Sequence, residues 1–306
     1  MILLSLFQVD YTLLLGGDTP SETYSDTLEM ITPNLACTPA MPMLPVRRHG
    51  AEAALFGSTI FYCGGRLDGF DPDYHGTCHS YLLGKESQRW EEEESMNYAR
   101  AYFGLTVIGD RMYASGGTNE VENESTVESF SPGTGWTIEE QMEMPQYRWT
   151  HCSVALGTKL VIIGGRVGST SVESASVQAF DTSLTDLNTT ASWVSLASMN
   201  YAREGHACSL GKFEGLEGIY VAGGEPAYTN VEFYTPNIDT WRNIDTLTTG
   251  RSWHSLTIIN GQMVVAGGMD KITSVETLNG TEWVQTNNLK VFSYGFVICQ
   301  FIDLLT

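Results

Sequence analysis

The sequence predicts an all-β fold of six similar four-stranded units, because three short patterns recur about every 50 positions along its 306 residues. The first pattern is a pair of glycines that ends an apolar strand, as in IFYCGG and LVIIGG. It occurs six times, at positions 16–17, 64–65, 116–117, 164–165, 223–224 and 267–268. Glycine allows positive φ and a close approach of neighbouring chains. The repetition therefore marks six equivalent strand ends.

The second pattern follows each glycine pair: a short alternating strand, such as TVESF or NVEFY, and then, in five of the six units, one tryptophan. These tryptophans are Trp90, Trp136, Trp193, Trp241 and Trp283. The third pattern is an arginine followed three residues later by histidine or phenylalanine, at Arg100, Arg148, Arg203 and Arg251. A new strand opens after each arginine and leads to the next glycine pair. Each period therefore holds four short strands.

Four-stranded units of this length cannot bury both faces alone, so they stack radially as propeller blades. The first glycine strand, YTLLLGG, has no strand before it, and the chain ends with an extra strand, SYGFVICQF, at 293–301. We therefore expect a six-bladed β-propeller of four-stranded antiparallel blades over residues 1–306. The C-terminal strand is expected to pair with the N-terminal blade, which closes the ring and removes an exposed edge.

The composition excludes some partners. Lys and Arg total 16 against 36 Asp and Glu, a net charge of −20, so we expect no nucleic-acid binding and no polybasic membrane docking. No run reaches the roughly 18 to 20 apolar residues of a membrane span, so we expect no membrane insertion. We also expect the chain to be a monomer. Residues 1–10 are read either as part of a strand or as the remnant of a short signal segment.

The order of glycine pair, aromatic-bearing strand, tryptophan and arginine over essentially the whole chain resembles the kelch-repeat family. It is similar both to secreted invertebrate kelch proteins and to the propellers of kelch-like adaptors. The resemblance implies that loops around the channel mouth bind ligands, through residues two positions after the repeated arginine and just after the glycine pair. Here the first set is Arg48, Tyr102, Thr150, Gly205, Trp253 and Ser293, and the second is Asp18, Arg66, Thr118, Arg166, Glu225 and Met269.

The ligand-face candidates drawn from these sets are Arg48, Arg66, Tyr102, Arg166, Glu225 and Trp253. Arg, Tyr and Trp dominate interface hot spots, so such a face suits a protein or peptide ligand. If the arginines cluster, an acidic peptide could bind locally although the net charge repels it. The other reading of each residue is a loop side chain without a partner.

The repeated arginines have two readings: a cationic ring for an acidic ligand, or side chains that satisfy backbone carbonyls or a carboxylate within each blade. We favour the second reading, and we expect the tryptophans to pack between blades. The histidines of the repeat are expected to be structural. His75, Cys78 and His79 follow the aspartates of LDGFDPDYHGTCH, which suggests either a metal site or a polar insertion of turns.

No HExxH, GxSxG, P-loop or paired-carboxylate signature is present, so we expect no catalytic residue, no metal and no cofactor. The leading hypothesis is a non-enzymatic protein- or peptide-binding propeller. The alternatives are a kelch-fold enzyme of the copper-oxidase or sugar-processing type, and a structural component of the extracellular matrix. A further alternative is the propeller of a ubiquitin-ligase substrate adaptor, which would require this chain to be a fragment.

Six cysteines are present, at positions 37, 63, 78, 152, 208 and 299. Cys63 ends one strand of a hairpin and Cys78 begins the next, which favours a disulfide between them. Cys152, Cys208 and Cys299 are expected to be buried thiols. The resemblance to secreted kelch chains favours an extracellular setting, with a cytoplasmic one as the alternative. Sequons at Asn123, Asn188 and Asn279 leave glycosylation undecided.

Overall fold

A computed structural model describes residues 10–15, 28–31, 37–39, 43–67, 73–83, 89–119, 124–169, 172–184, 192–269, 272–279, 282–289 and 297–302. These residues form β-strands joined by turns, with three one-turn 3₁₀ segments at Glu140–Met142, Thr182–Leu184 and Pro236–Ile238. Within these ranges there is no helix of the length and apolarity that a bilayer crossing needs.

The first half of the chain builds three blades. Blade 1 contains β1 (Asp10–Leu15), β2 (Leu28–Ile31) and β3 (Cys37–Pro39). Blade 2 contains β4 (His49–Phe56), β5 (Thr59–Arg66), β6 (Cys78–Leu82) and β7 (Glu91–Glu93). Blade 3 contains β8 (Gly104–Ile108), β9 (Arg111–Ser115), β10 (Val127–Ser131) and β11 (Gly135–Ile138).

The next strands are β12 (Arg148–Trp149), β13 (Cys152–Leu156), β14 (Lys159–Ile163), β15 (Arg166–Val167), β16 (Val172–Glu173), β17 (Val177–Asp181) and β18 (Val194–Leu196). Blade 4 is made of β13, β14, β17 and β18, while β12, β15 and β16 form a small separate sheet. Blade 5 contains β19 (Ala207–Phe213), β20 (Leu216–Ala222), β21 (Asn230–Thr235) and β22 (Thr240–Thr246). Blade 6 contains β23 (Ser255–Ile259), β24 (Gln262–Ala266), β25 (Ser274–Asn279) and β26 (Glu282–Asn288), and β27 (Val297–Ile302) follows.

Six sheets of four antiparallel strands confirm the predicted β-propeller. Blades 2, 3, 5 and 6 run in sequence order from an innermost to an outermost strand, and blade 4 does so apart from its inserted small sheet. The C-terminal strand β27 pairs antiparallel with β1, so blade 1 has the order β27-β1-β2-β3. Closure of the ring through this pairing stays a prediction, which is tested below. Residues 1–9 and the glycines at 16–17 lie outside the described residues.

The apolar cores lie between neighbouring blades. Phe61 of blade 2 packs in one cluster with Met112 and Phe130 of blade 3. In the same way Val161 of blade 4 shares a cluster with Val221 of blade 5. A blade therefore buries its faces only against its neighbours, which is why the unit must repeat.

The second glycine of four pairs joins one blade to the next. The Gly117 N–H of blade 3 donates to the carbonyl of Arg148, which precedes blade 4, at 2.8 Å. Gly117 has a φ of +97°, and a Cβ placed on it would lie 2.8 Å from the carbonyl oxygen of Ala101. Real Cβ atoms do not approach so closely, so the position requires glycine. Gly65, Gly165 and Gly224 make equivalent hydrogen bonds to Arg100, Arg203 and Arg251.

Candidate functional site

The repeated arginines are buried within the blades. Arg100 Nη1 donates to the Gly116 carbonyl at 2.7 Å, and Nη2 donates to Glu128 at 2.8 Å. Burial lowers the pKa of Arg100, and the Glu128 carboxylate acts against that shift. The same pairing joins Arg203 to Glu232 in blade 5 and Arg251 to Glu276 in blade 6. These side chains are fully buried, so the structure gives them no part in a solvent-facing cationic ring.

The glutamate partners also anchor the segment that links two blades. Glu128 of β10 accepts hydrogen bonds from the backbone N–H groups of Asn97 at 2.6 Å and Tyr98 at 3.0 Å, besides the one from Arg100. Glu232 does the same for Asn200 and Tyr201. Sequence reasoning missed these glutamates, although the third position of TVESF, NVEFY and SVETL carries one in each case.

Arg48 was predicted on the ligand face, and the structure corrects this. Its side chain is 3% exposed, and Nη1 donates to the carbonyls of Gly64 and Thr77, both at 2.9 Å. Arg48 therefore occupies the position of the repeated arginine in blade 2. The residue equivalent to Tyr102 is Gly50. The two adjacent arginines at 47 and 48 concealed this register in the sequence.

Blade 4 differs from the blades with an arginine–glutamate pair. Gln178 stands where blade 3 has Glu128, and Arg148 Nη2 donates instead to Ser176 Oγ at 2.9 Å. Burial lowers the pKa of Arg148 to about 10, since no carboxylate is paired with it among the described residues. The same repeat position thus carries glutamate in blades 3, 5 and 6 and glutamine in blade 4.

The repeated tryptophans lie between blades. The indole N–H of Trp136 in blade 3 donates to the Glu94 carbonyl that follows blade 2, at 3.1 Å. Trp193 and Trp241 make the corresponding bonds to the carbonyls of Met142 and Ala197. Trp283 is buried, and Trp90 packs against Tyr81 with ring centroids 5.5 Å apart. None of these five rings lines the clefts described below.

A chain of backbone hydrogen bonds crosses from blade to blade around one channel mouth. The N–H of Tyr102 donates to Gly50, Thr150 to Tyr102, Gly205 to Thr150 and Trp253 to Gly205, at 2.8, 2.8, 3.2 and 2.7 Å. Each of these five residues has a φ between +54° and +65°. The left-handed backbone turns the chain at each blade, so these positions and the residues after the glycine pairs meet on one face.

An open cleft of about 560 Å³ lies on this face, which we call the mouth cleft. Four of the predicted ligand-face residues line it: Arg66, Tyr102, Arg166 and Trp253. Its other walls are His49, Tyr74, Thr118, Trp149, Glu204 and Met269. Asp18 and Ser293 of the predicted sets lie outside the described residues. Sequence reasoning missed Trp149, which directly follows a repeated arginine.

Aromatic rings form the floor of the mouth cleft. The Tyr102 ring makes edge contacts with Trp253 at 5.5 Å, Trp149 at 6.2 Å and His49 at 5.2 Å between centroids. The Tyr102 hydroxyl lies 3.1 Å from His49 Nδ1. Burial, and secondarily Arg66, lowers the pKa of His49 to about 4, so this ring is neutral at pH 7.

The two arginines of the mouth cleft have different surroundings. The guanidinium carbon of Arg66 is 5.9 Å from the centroid of the Tyr102 ring. Arg166 lies 5.7 Å from the centroid of the Trp149 ring and forms ion pairs with Glu204 at 2.6 Å and Glu173 at 2.9 Å. The hydrogen bond that Arg166 donates to Glu204 raises the pKa of Arg166. The positive charge of Arg166 is therefore balanced by two carboxylates of the same chain.

Glu225 lies beside the mouth cleft without lining it. Its carboxylate accepts a hydrogen bond from Ser252 Oγ at 3.3 Å, and Ser252 directly precedes Trp253. Glu225 and Glu204 also exchange two backbone hydrogen bonds, at 2.9 and 3.0 Å. The blade 5 side of the mouth is consequently acidic.

Below the mouth, a narrow throat leads into the central channel. His151, His206 and His254 line the throat. Burial lowers the pKa of His206 to about 3, and that of the other two well below the ordinary value. Glu52 lines the channel, of about 630 Å³, and burial raises its pKa to about 8. The described side chains contain no group of three that could hold a metal ion.

Two disulfides join described cysteines. Cys63 and Cys78 face each other across β5 and β6, with a Cα separation of 4.1 Å, so His75 and His79 border a disulfide. His75 Nε2 lies 3.6 Å from Asp73, while Asp68 and Asp71 are outside the described residues. The prediction of buried thiols at Cys152 and Cys208 is wrong, because they are bonded to each other with Cα atoms 6.0 Å apart.

The second disulfide connects blades rather than strands of one blade. Cys152 lies on β13 and Cys208 on β19, the innermost strands of blades 4 and 5, which contact each other along the channel. Reading the sequence one blade at a time hides such a pairing. The side chains of Cys299 and Asn279 and the sequons at Asn123 and Asn188 lie outside what the structure describes.

Comparison with known proteins agrees with this architecture. Residues 50–268 match the KLHDC2/KLHL20/DRC7 Kelch-repeats domain. The chain is 29% identical to Kelch-like protein 36 of Rattus norvegicus over 239 residues, which is 74% of this chain and 36% of the relative. It is 26% identical to Kelch-like protein 15 of Homo sapiens over 249 residues, 74% of this chain and 39% of the relative. The chain thus spans less than half the length of these relatives, and it belongs to the Kelch-repeat family.

Proposed function

We propose that this chain is a non-enzymatic module that binds a protein or peptide at the mouth cleft. One observation carries the proposal: Arg66, Tyr102, Arg166 and Trp253, which lie far apart in sequence, line a single open cleft on one face. Propellers bind at such loops, and loop residues on a rigid scaffold are free to serve recognition.

The chemistry of the cleft supports a peptide rather than a small metabolite. Tyr102, Trp149 and Trp253 offer large rigid rings, and each ring can bury much apolar area at little conformational cost. The cleft is open to solvent and continues toward the throat, so a chain segment can lie across it. Backbone groups of such a segment would find the polar side chains of Thr118 and Glu204 on the walls.

Affinity capture with mass spectrometry tests the proposal, with cytosolic and extracellular extracts as separate sources of prey. The test variant is Arg66→Ala with Trp253→Ala. The matched control is Arg242→Ala with Ile238→Ala, which removes the same kinds of side chain from exposed positions on and beside the outer strand of blade 5. We expect partners that the control retains and the test variant loses. An unchanged set of partners on the test variant would refute the mouth cleft as the binding site.

The similarity to Kelch-like proteins favours a second candidate, in which the propeller recognises a substrate for a longer ubiquitin-ligase adaptor. The relatives are more than twice as long as the region that this chain matches. Ubiquitin-ligase subunits among the captured proteins would support this candidate. If a longer form of the protein captured no such subunit, this candidate would be refuted. An enzymatic alternative of the copper-oxidase type is tested by metal analysis, since stoichiometric copper would contradict the proposal.

We also propose an extracellular setting, because two disulfides are stable only in an oxidising compartment in most organisms. The alternative is the cytoplasm. Mass mapping of the protein purified from its own source separates them: intact bridges support the extracellular setting, and free thiols at all four positions support the cytoplasm.

A further inference from the structure

We propose that the Cys152–Cys208 disulfide is a site of thiol–disulfide exchange, reached by small thiols through the central channel, and that its reduction makes local opening of blade 4 easier. The inference goes beyond the proposed binding function and does not depend on it. It follows from the position of the bridge on the channel wall, from the charge of the channel lining and from the segment of chain that the bridge encloses.

The two disulfides between described cysteines differ in exposure. Cys63 and Cys78 are 0% exposed, so a dissolved thiol cannot reach their bond while the blade is folded. Cys152 and Cys208 are half-buried, and both line the channel of about 630 Å³. Cavities of this size accommodate small organic molecules. Leu210, two residues beyond Cys208, also lines the channel and is 40% exposed, so the channel is open to solvent near the bridge.

The channel lining does not repel the anionic form of a thiol. Among the described residues that line the channel, Glu52 is the only Asp, Glu, Lys or Arg. Burial raises the pKa of Glu52 to about 8, so its carboxyl group is mostly protonated at pH 7. The throat histidines are neutral at this pH, because burial lowers the pKa of each. The thiolate is the species that attacks a disulfide, and these residues present no net charge to it.

The exchange consumes two molecules of a small monothiol, for which glutathione is a suitable probe. The thiolate of the first molecule attacks one sulfur of the bridge and forms a mixed disulfide, while the bond between Cys152 and Cys208 breaks. The released sulfur keeps the bonding electron pair and takes a proton from water. A second thiolate then attacks the mixed disulfide. Two small thiols are thereby oxidised to one disulfide, and both cysteines are reduced.

The bridge encloses the whole of blade 4. It joins cysteines with a sequence separation of 56, and β13, β14, β17 and β18 all lie within residues 152–208. A cross-link reduces the conformational entropy of the opened segment, so it disfavours local opening of blade 4. The same segment carries Arg166 and Glu204 of the mouth cleft, which form an ion pair at 2.6 Å. Reduction of the bridge therefore acts on part of the wall of the mouth cleft.

Reaction of the folded chain with glutathione at pH 7 tests the exchange. Free thiols are alkylated at intervals and mapped by mass spectrometry. We expect Cys152 and Cys208 to become free about ten times faster than Cys63 and Cys78, or more, with a transient peptide that carries one glutathione. Equal rates for the two bridges, or faster release of Cys63 and Cys78, would refute the site. Free thiols at Cys152 and Cys208 before the treatment would refute it as well.

A variant that narrows the channel tests the route of entry. Ser209 lines the channel next to Cys208, so Ser209→Phe places a large side chain there, and Ser209→Leu is a smaller second variant. Ser195→Phe is the matched control, because Ser195 is exposed on the outer strand β18. We expect a variant at position 209 that melts like wild type to react about fivefold more slowly, and the control to react like wild type. An unchanged rate in the folded variants would refute entry through the channel.

Hydrogen exchange measured with the protein held in glutathione tests the effect on blade 4. We expect deuterium uptake in β14 and β17 of blade 4 to become about tenfold faster than in the untreated protein, or more. Uptake in β9 and β10 of blade 3, which lie outside the enclosed segment, should stay within about twofold. No change in blade 4, or an equal change in both blades, would refute the effect on blade 4 even where the exchange itself is observed.

Discussion

Removal of one buried carboxylate in blade 3 should destabilise the propeller strongly. Glu128→Ala leaves the guanidinium of Arg100 charged and fully buried, and breaking a buried ion pair on one side costs about 3 to 5 kcal/mol. The backbone N–H groups of Asn97 and Tyr98 lose the same acceptor. Each orphaned group costs about 1 to 3 kcal/mol alone, but the contacts share one carboxylate and do not add fully. We expect a loss of about 4 to 6 kcal/mol.

Thermal and urea unfolding measure this loss. With an unfolding entropy of about 2.1 cal/mol/K per residue, a chain of 306 residues should fall by about 6 to 9 °C in Tm. The chain supplies its own control, because Gln178 stands at the equivalent position of blade 4 and makes no side-chain hydrogen bond within the described residues. Gln178→Ala should cost less than about 1 kcal/mol.

Comparing the Tm values of the two variants tests whether the arginine–glutamate pair stabilises the blade. If Glu128→Ala lowers Tm no more than Gln178→Ala does, the arginine–glutamate pair contributes nothing beyond the carbonyl contacts of the arginine. The explanation of the repeat given above would then be wrong. Glu128→Gln should lie between the two, since an amide still offers one acceptor to the linker between blades 2 and 3.

Three further outcomes are expected. The throat histidines stay neutral in the folded protein, so the stability that they contribute above about pH 6.5 is lost as the pH falls. The free energy of unfolding should decrease by about 2 kcal/mol per histidine from pH 7 to 5. The drop in Tm between these two pH values should be smaller in His206→Gln than in the wild-type protein. Cys152→Ser opens a bridge of sequence separation 56 and should cost roughly 4 kcal/mol in urea unfolding, whereas no change would show that the bridge does not form in solution. Deletion of Val297–Ile302 should expose blade 1 to protease before the other blades, and equal resistance would refute closure through β27.

The blades could be predicted from the sequence because their signals are local and repeated. In four of the described pairs the first glycine ends a strand where a side chain would collide with the next blade, as a Cβ on Gly116 would with the carbonyl of Arg148. Each tryptophan follows at a fixed place, as Trp136 and Trp241 show. The repetition of such steric requirements leaves little freedom for another fold, so element order and strand pairing could be predicted directly.

The site was predicted only in part, because its members belong to different blades. Arg66, Tyr102, Arg166 and Trp253 were found by their repeat positions, and they do line one cleft. Arg48 was misplaced because an adjacent arginine shifted the repeat by two residues. The neutralisation of Arg166 by Glu204 depends on contacts between strands far apart in sequence, which periodicity does not reveal.

Around the mouth, backbone hydrogen bonds hold the blades together, while the side chains at the same positions differ from blade to blade. At five equivalent places the main chain has the same left-handed turn, and along them four similar hydrogen bonds run from blade to blade, while the side chains are glycine, tyrosine, threonine, glycine and tryptophan. At these places the blades are thus held together by backbone N–H and carbonyl groups. Every residue has both groups except proline, which lacks the N–H. Substitutions at Tyr102, Thr150 and Trp253 can therefore change the surface of the rim without removing these hydrogen bonds, so new binding specificities can arise there one residue at a time. Gly50 and Gly205 are excluded, because a Cβ on either would lie 2.9 Å from the ring of Tyr102 or Trp253.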